Sequence, residues 1–425
     1  MRSTRTVAFV ASLLLLWCAD ARAGVPIVVN EIGDESDPTV DLSCDVSADP
    51  GSQCTLRAAI QTANALAGVD LVNFAIPGSG VRTIAPGSPL PNVTNPLVID
   101  GYTQAGASSN TVGPPLPLTT KLRIFLNGAA LADGSGLRFD PGSNGSTVRG
   151  LAIGNFPFAG IRAEAPVTAQ GNFLGTNAAG TGPRPNTLGF FGSPGAVNAI
   201  VGGSEFGDPN LISGNEAEAI VTNAAVTVQG NYIGTERDGK APLPNTTDDD
   251  GLFALLLSGD GSDKIIRNII AHSPGGGISV PDPNAGSLLS VNRMFKNGGL
   301  GIDLGEDGVT PNDNLDPDPG PNALQNFPKI TTAKRGQSTT KIEGKLNSVP
   351  NEPFTIEVFQ ADGKSRQGKV YLGGAGFTTD GEGNATFQLE FQKPKEGKYV
   401  VTTATRIAVG DLGATSEFSK PRKVE

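Results

Sequence analysis

The stretch Gly171-Asn172-Phe173-Leu174-Gly175-Thr176 returns 59 residues later as Gly230-Asn231-Tyr232-Ile233-Gly234-Thr235, and the likeness continues to Asn186 and Asn245. Eight of the sixteen aligned positions are identical. Each copy places apolar residues between glycine and asparagine, the residues that accept the left-handed backbone of tight corners. The repeat therefore predicts short strands separated by sharp turns.

The same segment belongs to a longer series of repeat anchors. Successive anchors are 21 to 24 residues apart, except for two intervals of 38 and 37 residues, which predict insertions at 176–192 and 235–250. The anchors are Asn127, Leu151, Asn172, Asn210, Asn231, Asn268 and Asn292.

A second apolar segment follows the regular anchors by ten residues, at Leu137, Ile161, Ile220, Ile278 and Ile302. Its apolar and polar residues alternate, as in a half-buried strand. Units of this length with two or three strands are typical of solenoid coils, which bury their apolar faces only by stacking. We predict an all-β chain built on a parallel β-helix with asparagine ladders at its turns. A propeller, whose blades need about 40 residues, is the alternative.

Composition restricts the class of protein and of partner. The 425 residues include 57 glycines and 32 prolines, with 38% hydrophobic and 17% charged residues, which indicates a turn-rich folded chain. Acidic residues number 42 and basic residues 32, which gives a net charge of -10. Because a chain of that sign repels phosphate, no nucleic-acid partner is expected.

The N-terminus has the pattern of a secretory signal peptide. Arg2 and Arg5 precede the apolar stretch 7–19, and Ala21-Arg22-Ala23 supplies the small residues of a cleavage site. We predict that residues 1–23 are removed and that the protein is secreted, in an extracellular, cell-surface or periplasmic location. A membrane anchor is the alternative, but no stretch here or later reaches the roughly 18 apolar residues of a transmembrane helix.

Two cysteines remain after that cleavage. Cys18 would leave with the signal peptide, so we predict a disulfide between Cys44 and Cys54 in an oxidising compartment. Two free thiols acting as a nucleophile or as metal ligands are the alternative. Thr55 is placed to cap a short helix, and residues 24–70 are therefore predicted to form an N-terminal cap.

The repeats stop near Leu304, so the predicted β-helix spans residues 71–304. Residues 305–328 are acidic and rich in proline, which predicts a connector. From Lys329 the charge balance becomes basic, and alternating stretches such as 354–359 and 385–389 predict a β-sandwich module over 329–425.

Several stretches resemble a known group of proteins. Cys54-Thr55-Leu56-Arg57-Ala58-Ala59-Ile60 resembles the Cys-Ser-Leu-Arg-Glu-Ala-Ile motif that opens a group of secreted bacterial right-handed parallel β-helix repeat proteins, with Thr55 and Ala58 as departures. Asp100–Gln104, the repeats, Gly301–Gly305 and Thr415–Ser419 are similar to the rest of that group. The resemblance implies a right-handed parallel β-helix, secretion and work at a cell surface, with no established reaction.

The connector carries the pattern most suggestive of a metal. Asp307, Asp313, Asp316 and Asp318 alternate with amides and turn residues, and carboxylates at every second position can surround calcium, which takes six to eight oxygen ligands. The alternative is a solvated acidic linker distorted by its prolines. No other cofactor is predicted.

Candidate catalytic residues are few. Asp248, Asp249 and Asp250 end the second insertion, where two opposed carboxylates would suffice for glycoside hydrolysis, although a solvated loop tip is the simpler interpretation. Arg162, Arg267 and Arg293 are available as the base of a lyase, and nothing in the sequence selects one of them, although Arg267 lies in or near the same coil as these acids. His272, the only histidine, is predicted to be a turn residue.

Three functional hypotheses remain open. The long side of stacked coils suits extended polymers, so we favour a protein that binds extracellular polysaccharide or a cell-surface component. A polysaccharide lyase or glycoside hydrolase that uses the same groove is the second hypothesis. A purely structural surface protein is the third.

Overall fold

The computed structural model describes residues 23–39, 41, 43–246, 251–260, 262–284, 286–392, 398–407 and 413–425. Apart from Ala23, the predicted signal peptide lies outside the described residues. Within these ranges, no helix has both the length and the apolar character needed to cross a bilayer.

The described chain up to residue 304 consists mainly of short strands. They are β1 (Ala23–Val29), β2 (Val69–Phe74), β3 (Arg82–Ile84), β4 (Leu97–Asp100), β5 (Ile124–Asn127), β6 (Leu137–Phe139), β7 (Ser146–Arg149), β8 (Leu151–Gly154), β9 (Ala159–Ala163), β10 (Val167–Gln170), β11 (Phe173–Leu174) and β12 (Leu188–Gly192). They continue with β13 (Ile200–Gly202), β14 (Leu211–Ile212), β15 (Ile220–Thr222), β16 (Thr227–Gln229), β17 (Tyr232–Ile233), β18 (Leu255–Leu257), β19 (Lys264–Ile266), β20 (Ile269–Ala271), β21 (Ile278–Val280), β22 (Leu288–Ser290), β23 (Arg293–Phe295) and β24 (Ile302–Leu304).

These strands form three parallel sheets, which are the faces of a β-helix. Sheet A has nine strands in the order β1-β2-β4-β7-β10-β13-β16-β19-β22. Sheet B has the eight strands β3-β5-β8-β11-β14-β17-β20-β23, and sheet C has the seven strands β6-β9-β12-β15-β18-β21-β24. From β4 onward, each coil contributes one strand to sheet A, one to sheet B and one to sheet C, in that order. The predicted all-β parallel β-helix is confirmed.

Apolar side chains of successive coils stack in register inside the β-helix. β-Branched residues suit this pleated, buried surface, and no single coil can remove such a column from water. In sheet A the column is at most 2% exposed and comprises Ile99, Val148, Ala169, Val201, Val228, Ile265 and Leu289.

Five predicted anchors form a buried ladder of amides at the corner between sheets A and B. Each Nδ2 donates to the Oδ1 of the next anchor over 2.9 to 3.3 Å, and each backbone N–H donates to the same oxygen. The polar atoms of these buried side chains are thereby satisfied. The ladder runs through Asn172, Asn210, Asn231, Asn268 and Asn292.

Asn127 was wrongly predicted to be an equivalent anchor. The register pairs Ile124, not Asn127, with Leu151. Asn127 ends β5, where its Oδ1 accepts a hydrogen bond of 2.7 Å from Asn155 Nδ2. The error arises because the coil from Ile124 to Leu151 is longer than the later coils without an insertion, which have 21 or 24 residues, so spacing from Asn127 misplaces the corner.

A second amide ladder, at the corner after sheet B, ends on the C-terminal domain. Asn297 Oδ1 accepts from Ser273 N at 3.0 Å, and Gln367 Oε1 accepts from Asn297 N and Nδ2 at 3.1 and 3.2 Å. Gln367 Nε2 in turn donates to the carbonyls of Asn297 and Gly299, both at 2.8 Å. The C-terminal domain therefore continues the hydrogen-bond pattern of the β-helix at its last coil.

The N-terminal segment packs one helix on the first strands. Helix α1 (Leu56–Ala65) is capped by Thr55, whose Oγ1 accepts from Ala58 N at 3.1 Å. The predicted disulfide joins Cys44 to Cys54 and is confirmed. Buried Arg57 pairs with Asp34 at 2.8 Å. Although we predicted 24–70 as a cap, its strand β1 pairs in parallel with β2 and already belongs to sheet A.

Two insertions cover the outer face of sheet B. They fold alike, since antiparallel bridges join Thr176 to Pro183 and Thr235 to Pro242. With the loop 105–122 they enclose an apolar cluster that includes Phe173, Leu211, Tyr232 and Ile269. The first insertion is shorter than the predicted 176–192, because Leu188–Gly192 pairs in sheet C as β12.

The C-terminal domain is antiparallel. Its strands are β25 (Lys329–Arg335), β26 (Thr340–Asn347), β27 (Pro353–Ala361), β28 (Gly368–Thr378), β29 (Asn384–Phe391), β30 (Tyr399–Arg406), β31 (Ala414–Thr415) and β32 (Arg422–Lys423). One sheet has the order β25-β26-β29 and the other β28-β27-β30-β31, with β32 beside β30. The two sheets share a buried core that contains Ile342, Phe387, Ile356 and Val400. They form a sandwich over the predicted range.

Candidate functional site

The corner that precedes sheet B takes a left-handed backbone in five coils. Gly150, Gly171 and Gly230 have φ between 62° and 75°, but Arg267 and Val291, at the same corner of the last two coils, have φ of 58°. This conformation costs a residue with a Cβ atom about 1–2 kcal/mol. Backbone strain of this kind concentrates at functional sites, so the corners at Arg267 and Val291 are candidate positions for such a site.

Neighbouring segments explain why the earlier corners require glycine. A Cβ atom on Gly171 would lie 2.2 Å from Tyr102 Oη, and one on Gly150 would lie 2.9 Å from the Tyr102 ring. A Cβ atom on Gly230 would lie 2.8 Å from the carbonyl oxygen of Gly203. The Tyr102 loop therefore covers the corners at Gly150 and Gly171, whereas the corners at Gly230, Arg267 and Val291 line one cavity.

This junction cavity has a volume of about 410 Å³ and lies between the β-helix and the C-terminal domain. Phe206, which is 62% exposed, stands at its rim, and its backbone carbonyl accepts a 2.6 Å hydrogen bond from Asn110 Nδ2. The remaining lining includes Pro115, Pro209, Gln229, Arg267, Val291, Arg293, Val370 and Tyr371.

Two guanidinium groups give the junction cavity positive charge. Arg267 is exposed at the corner of its coil. Arg293 Nε donates to the carbonyl of Lys369 on β28 at 3.0 Å, and burial lowers the pKa of Arg293. Flat aromatic faces beside guanidinium donors suit a ligand with both apolar ring faces and oxygen acceptors.

A buried carboxyl group from the C-terminal domain holds the strained corner. Glu357 on β27 accepts from Ser290 Oγ at 2.6 Å and from Val291 N at 3.0 Å. Burial raises the pKa of Glu357. Burial and the nearby Glu357 also raise the pKa of Tyr371, which keeps that phenol protonated as a donor. The C-terminal domain thus supplies one wall of the junction cavity through Tyr371. Through Glu357 it also fixes the backbone at Val291, which lies in the opposing β-helix wall.

The described lining of the junction cavity contains a single carboxylate, Glu205. Glycoside hydrolysis ordinarily needs two. The predicted catalytic residues Asp248, Asp249 and Asp250 lie outside the described residues. Arg267 lies in the junction cavity with Arg293, while His272 is at the corner on the other side of sheet B, where its φ is 61°.

Three of the four predicted calcium ligands lie together. Ligand oxygens of Asp313, Asp316 and Asp318 are all within 4.8 Å of one another, and Asp307 is not in the group. Asp316 accepts hydrogen bonds from Ser348 Oγ and Gln325 Nε2, and burial raises its pKa to about 6. The calcium site stays a prediction.

No protein-family model matches the chain, and no curated protein sequence matches it. Among solved structures, the chain is similar to tailspike protein gp49 of Acinetobacter baumannii bacteriophage Fri1, a capsular polysaccharide depolymerase. Identity is 10% over 83% of this chain and 77% of that chain, with a TM-score of 0.14. The fold of the present chain is established by its strand pairing.

Sequence reasoning missed Phe206 and Tyr371, and it did not identify the strained corners at Arg267 and Val291. The repeat alignment does contain a signal for these corners. The dipeptides Gly171-Asn172 and Gly230-Asn231 correspond to Arg267-Asn268 and Val291-Asn292, so two residues with large side chains replace a corner glycine. Phe206 carries no such signal, because only the folded chain brings its loop beside β28 of the other domain.

Proposed function

We propose that this protein is secreted and binds an extracellular polysaccharide in the junction cavity. The observation that carries the proposal is the strained Arg267 corner, which opens between exposed Phe206 and half-buried Tyr371. Sugar rings present apolar faces that pack on aromatic side chains and hydroxyl oxygens that accept from guanidinium and phenol groups. The cavity is open to solvent, which an extended chain requires.

The β-helix supports the same proposal. Stacked coils are rigid, since each strand pairs with both neighbours, and the amide ladders fix the corners. A rigid surface loses little conformational entropy when it binds a polymer, which favours binding. Because Arg267 and Val291 belong to successive coils, the junction cavity extends along the axis of the β-helix, the direction in which a polymer would lie.

The test is incubation of the mature protein with a panel of acidic and neutral polysaccharides, with and without calcium. Retention on insoluble glycans reports binding, absorbance at 235 nm reports lyase chemistry, and reducing ends report hydrolysis. We expect retention that Phe206→Ser abolishes, while Ile32→Ser, which removes a 53% exposed apolar side chain far along the chain, leaves it unchanged.

Absence of retention across the panel would refute the proposal. It would favour the purely structural hypothesis. Cleavage products that disappear in Arg267→Gln would instead favour the lyase or hydrolase hypothesis, because Arg267 is a predicted catalytic candidate that lies in the cavity.

A further inference from the structure

The corner that follows sheet B is left-handed in several coils as well. The strand register places His272 and Lys296, with φ of 61° and 57°, level with Asn155 and Gly214 of earlier coils, with φ of 64° and 73°. At both corners that border sheet B, the last two coils therefore carry residues with large side chains. These corner residues include a guanidinium, an imidazole and an ammonium group.

Two further cations lie between these corners. Arg293 begins β23, and Lys369 reaches across from the C-terminal domain to place its Nζ 5.2 Å from the centre of the Phe295 ring. The His272 ring contacts the same phenylalanine edge-on at 5.8 Å. We call Arg267, His272, Arg293, Lys296 and Lys369 the basic end of sheet B.

Nearby carboxylates offset only part of this charge. Lys369 pairs with Asp362 at 3.4 Å. Burial lowers the pKa of His272, with the nearby Lys296 and Lys369 acting in the same direction and Asp238 against them, so the positive charge of the basic end comes from its arginines and lysines. Glu205 lies on the opposite rim of the junction cavity. Among the described residues, Arg267 and Lys296 are both exposed and make no ion pair within 4.0 Å. Concentrated positive charge is conspicuous in a chain whose net charge is -10.

The exposed parts of the basic end lie at the corners of sheet B. Insertions and the loop 105–122 cover the outer faces of β11, β14 and β17, and the next strands β20 and β23 are buried too, since Ile269 is 0% and Phe295 5% exposed. Beyond the second insertion, the surface carries half-buried His272 and exposed Lys296. Arg293 links this surface to the junction cavity, because it belongs to both.

We propose that the basic end of sheet B, continuous with the junction cavity, binds the anionic groups of an acidic polysaccharide, either carboxylates or sulfates. The inference rests on the proposed function and specifies its ligand class. Ammonium and guanidinium groups are carried by two adjacent coils whose strands lie about 5 Å apart, so more than one of them can meet the anionic groups repeated along one polymer. The buried aromatic ring of Phe295 lowers the local dielectric and strengthens these contacts.

The experiment compares polymers that differ only in charge. The mature protein is titrated in EDTA with alginate, with alginate whose carboxyl groups have been reduced to alcohols, with dextran sulfate and with dextran. The double variant Arg267→Gln/Lys296→Gln removes two exposed cations of the basic end. The double variant Lys341→Gln/Lys345→Gln removes the same charge from β26 and serves as the control.

We expect at least one anionic polymer to bind about tenfold more tightly than its neutral counterpart, which corresponds to ~1.4 kcal/mol. The preference should disappear in Arg267→Gln/Lys296→Gln, persist in the control, and weaken as salt rises. Tight binding to alginate alone identifies carboxylates, and tight binding to dextran sulfate alone identifies sulfates. Equal binding of charged and neutral polymers would overturn this inference and leave the proposed function standing. Binding to none of the four would count against both.

Discussion

Asn231 shows at the scale of one residue how the corner works. Its Nδ2 donates to the carbonyl of Val201 at 2.8 Å and to Asn268 Oδ1 at 3.0 Å, and its Oδ1 accepts from Asn210. All of these groups are buried, where each lost partner costs about 1–3 kcal/mol. Asn127, which lies outside the ladder, provides a natural comparison.

We expect Asn231→Ala to lower the free energy of unfolding by about 3 kcal/mol, because several buried donors and acceptors lose their partners. The measurement is the urea concentration at which half of the protein is unfolded, monitored by circular dichroism. Asn127→Ala serves as the control and should cost below about 1 kcal/mol, since that side chain is only half-buried. Equal losses in the two variants would show that the ladder has no special role.

The aspartate group at Asp313, Asp316 and Asp318 supports a second residue-scale prediction. After chelation, equilibrium dialysis should show calcium rebinding that Asp313→Asn/Asp318→Asn removes, because carboxylate oxygens are the ligands that hard cations prefer. Asp307→Asn is the control and should bind as the wild type does, since Asp307 lies outside the group. If the wild-type protein takes up no calcium, the acidic connector is a solvated linker.

At the scale of elements, the disulfide and helix α1 together fix the start of the β-helix. Cys54 immediately precedes the N-cap residue Thr55, and its backbone carbonyl accepts from the N–H groups of Asn30 and Glu31 at 3.0 and 3.1 Å. The link thus connects the loop 44–54, the helix and the end of strand β1. Reducing it frees a segment that covers the first coil.

The double variant Cys44→Ser/Cys54→Ser should be less stable by about 2–3 kcal/mol, because the unfolded chain regains the entropy of a loop with a sequence separation of 10. Thermal unfolding with and without reductant measures the effect. Reductant should lower the wild-type transition to that of the variant and leave the variant unchanged. A wild-type transition that ignores reductant would contradict the prediction.

At the scale of the whole molecule, buried acids hold the β-helix together and, at Glu417, join it to the C-terminal domain. Glu417 accepts from the N–H groups of Leu304 and Thr310 at 3.4 and 3.3 Å, and burial raises its pKa to about 7. Burial likewise raises the pKa of Asp263, between β18 and β19, to about 7. The folded protein therefore holds these protons more tightly than the unfolded chain does.

Stability should fall as pH rises from about 4.5 to about 7, by at most ~1.4 kcal/mol per pH unit for each such group, and level off above that range. The measurement is the urea midpoint across pH 4.5 to 8. In Glu417→Gln the pH dependence of the midpoint should be shallower. Glu343→Gln should follow the wild type, because the hydrogen bond from Lys341 lowers the pKa of the half-buried Glu343 and its carboxyl titrates below this window. A wild-type midpoint that rises through this window would have the wrong sign.

The sequence by itself determined the coil, because a period of 21 to 24 residues, alternating apolar positions and corner asparagines are local properties of the chain. The disulfide followed from the count of cysteines. Spacing failed at Asn127, where a longer coil shifts the register, and at β12, which pairs inside a predicted insertion. Only the tertiary structure decided the junction cavity. Phe206, Arg267 and Tyr371 are separated by 61 and 104 residues along the chain, and no local pattern specifies contacts that arise when one folded domain packs on another.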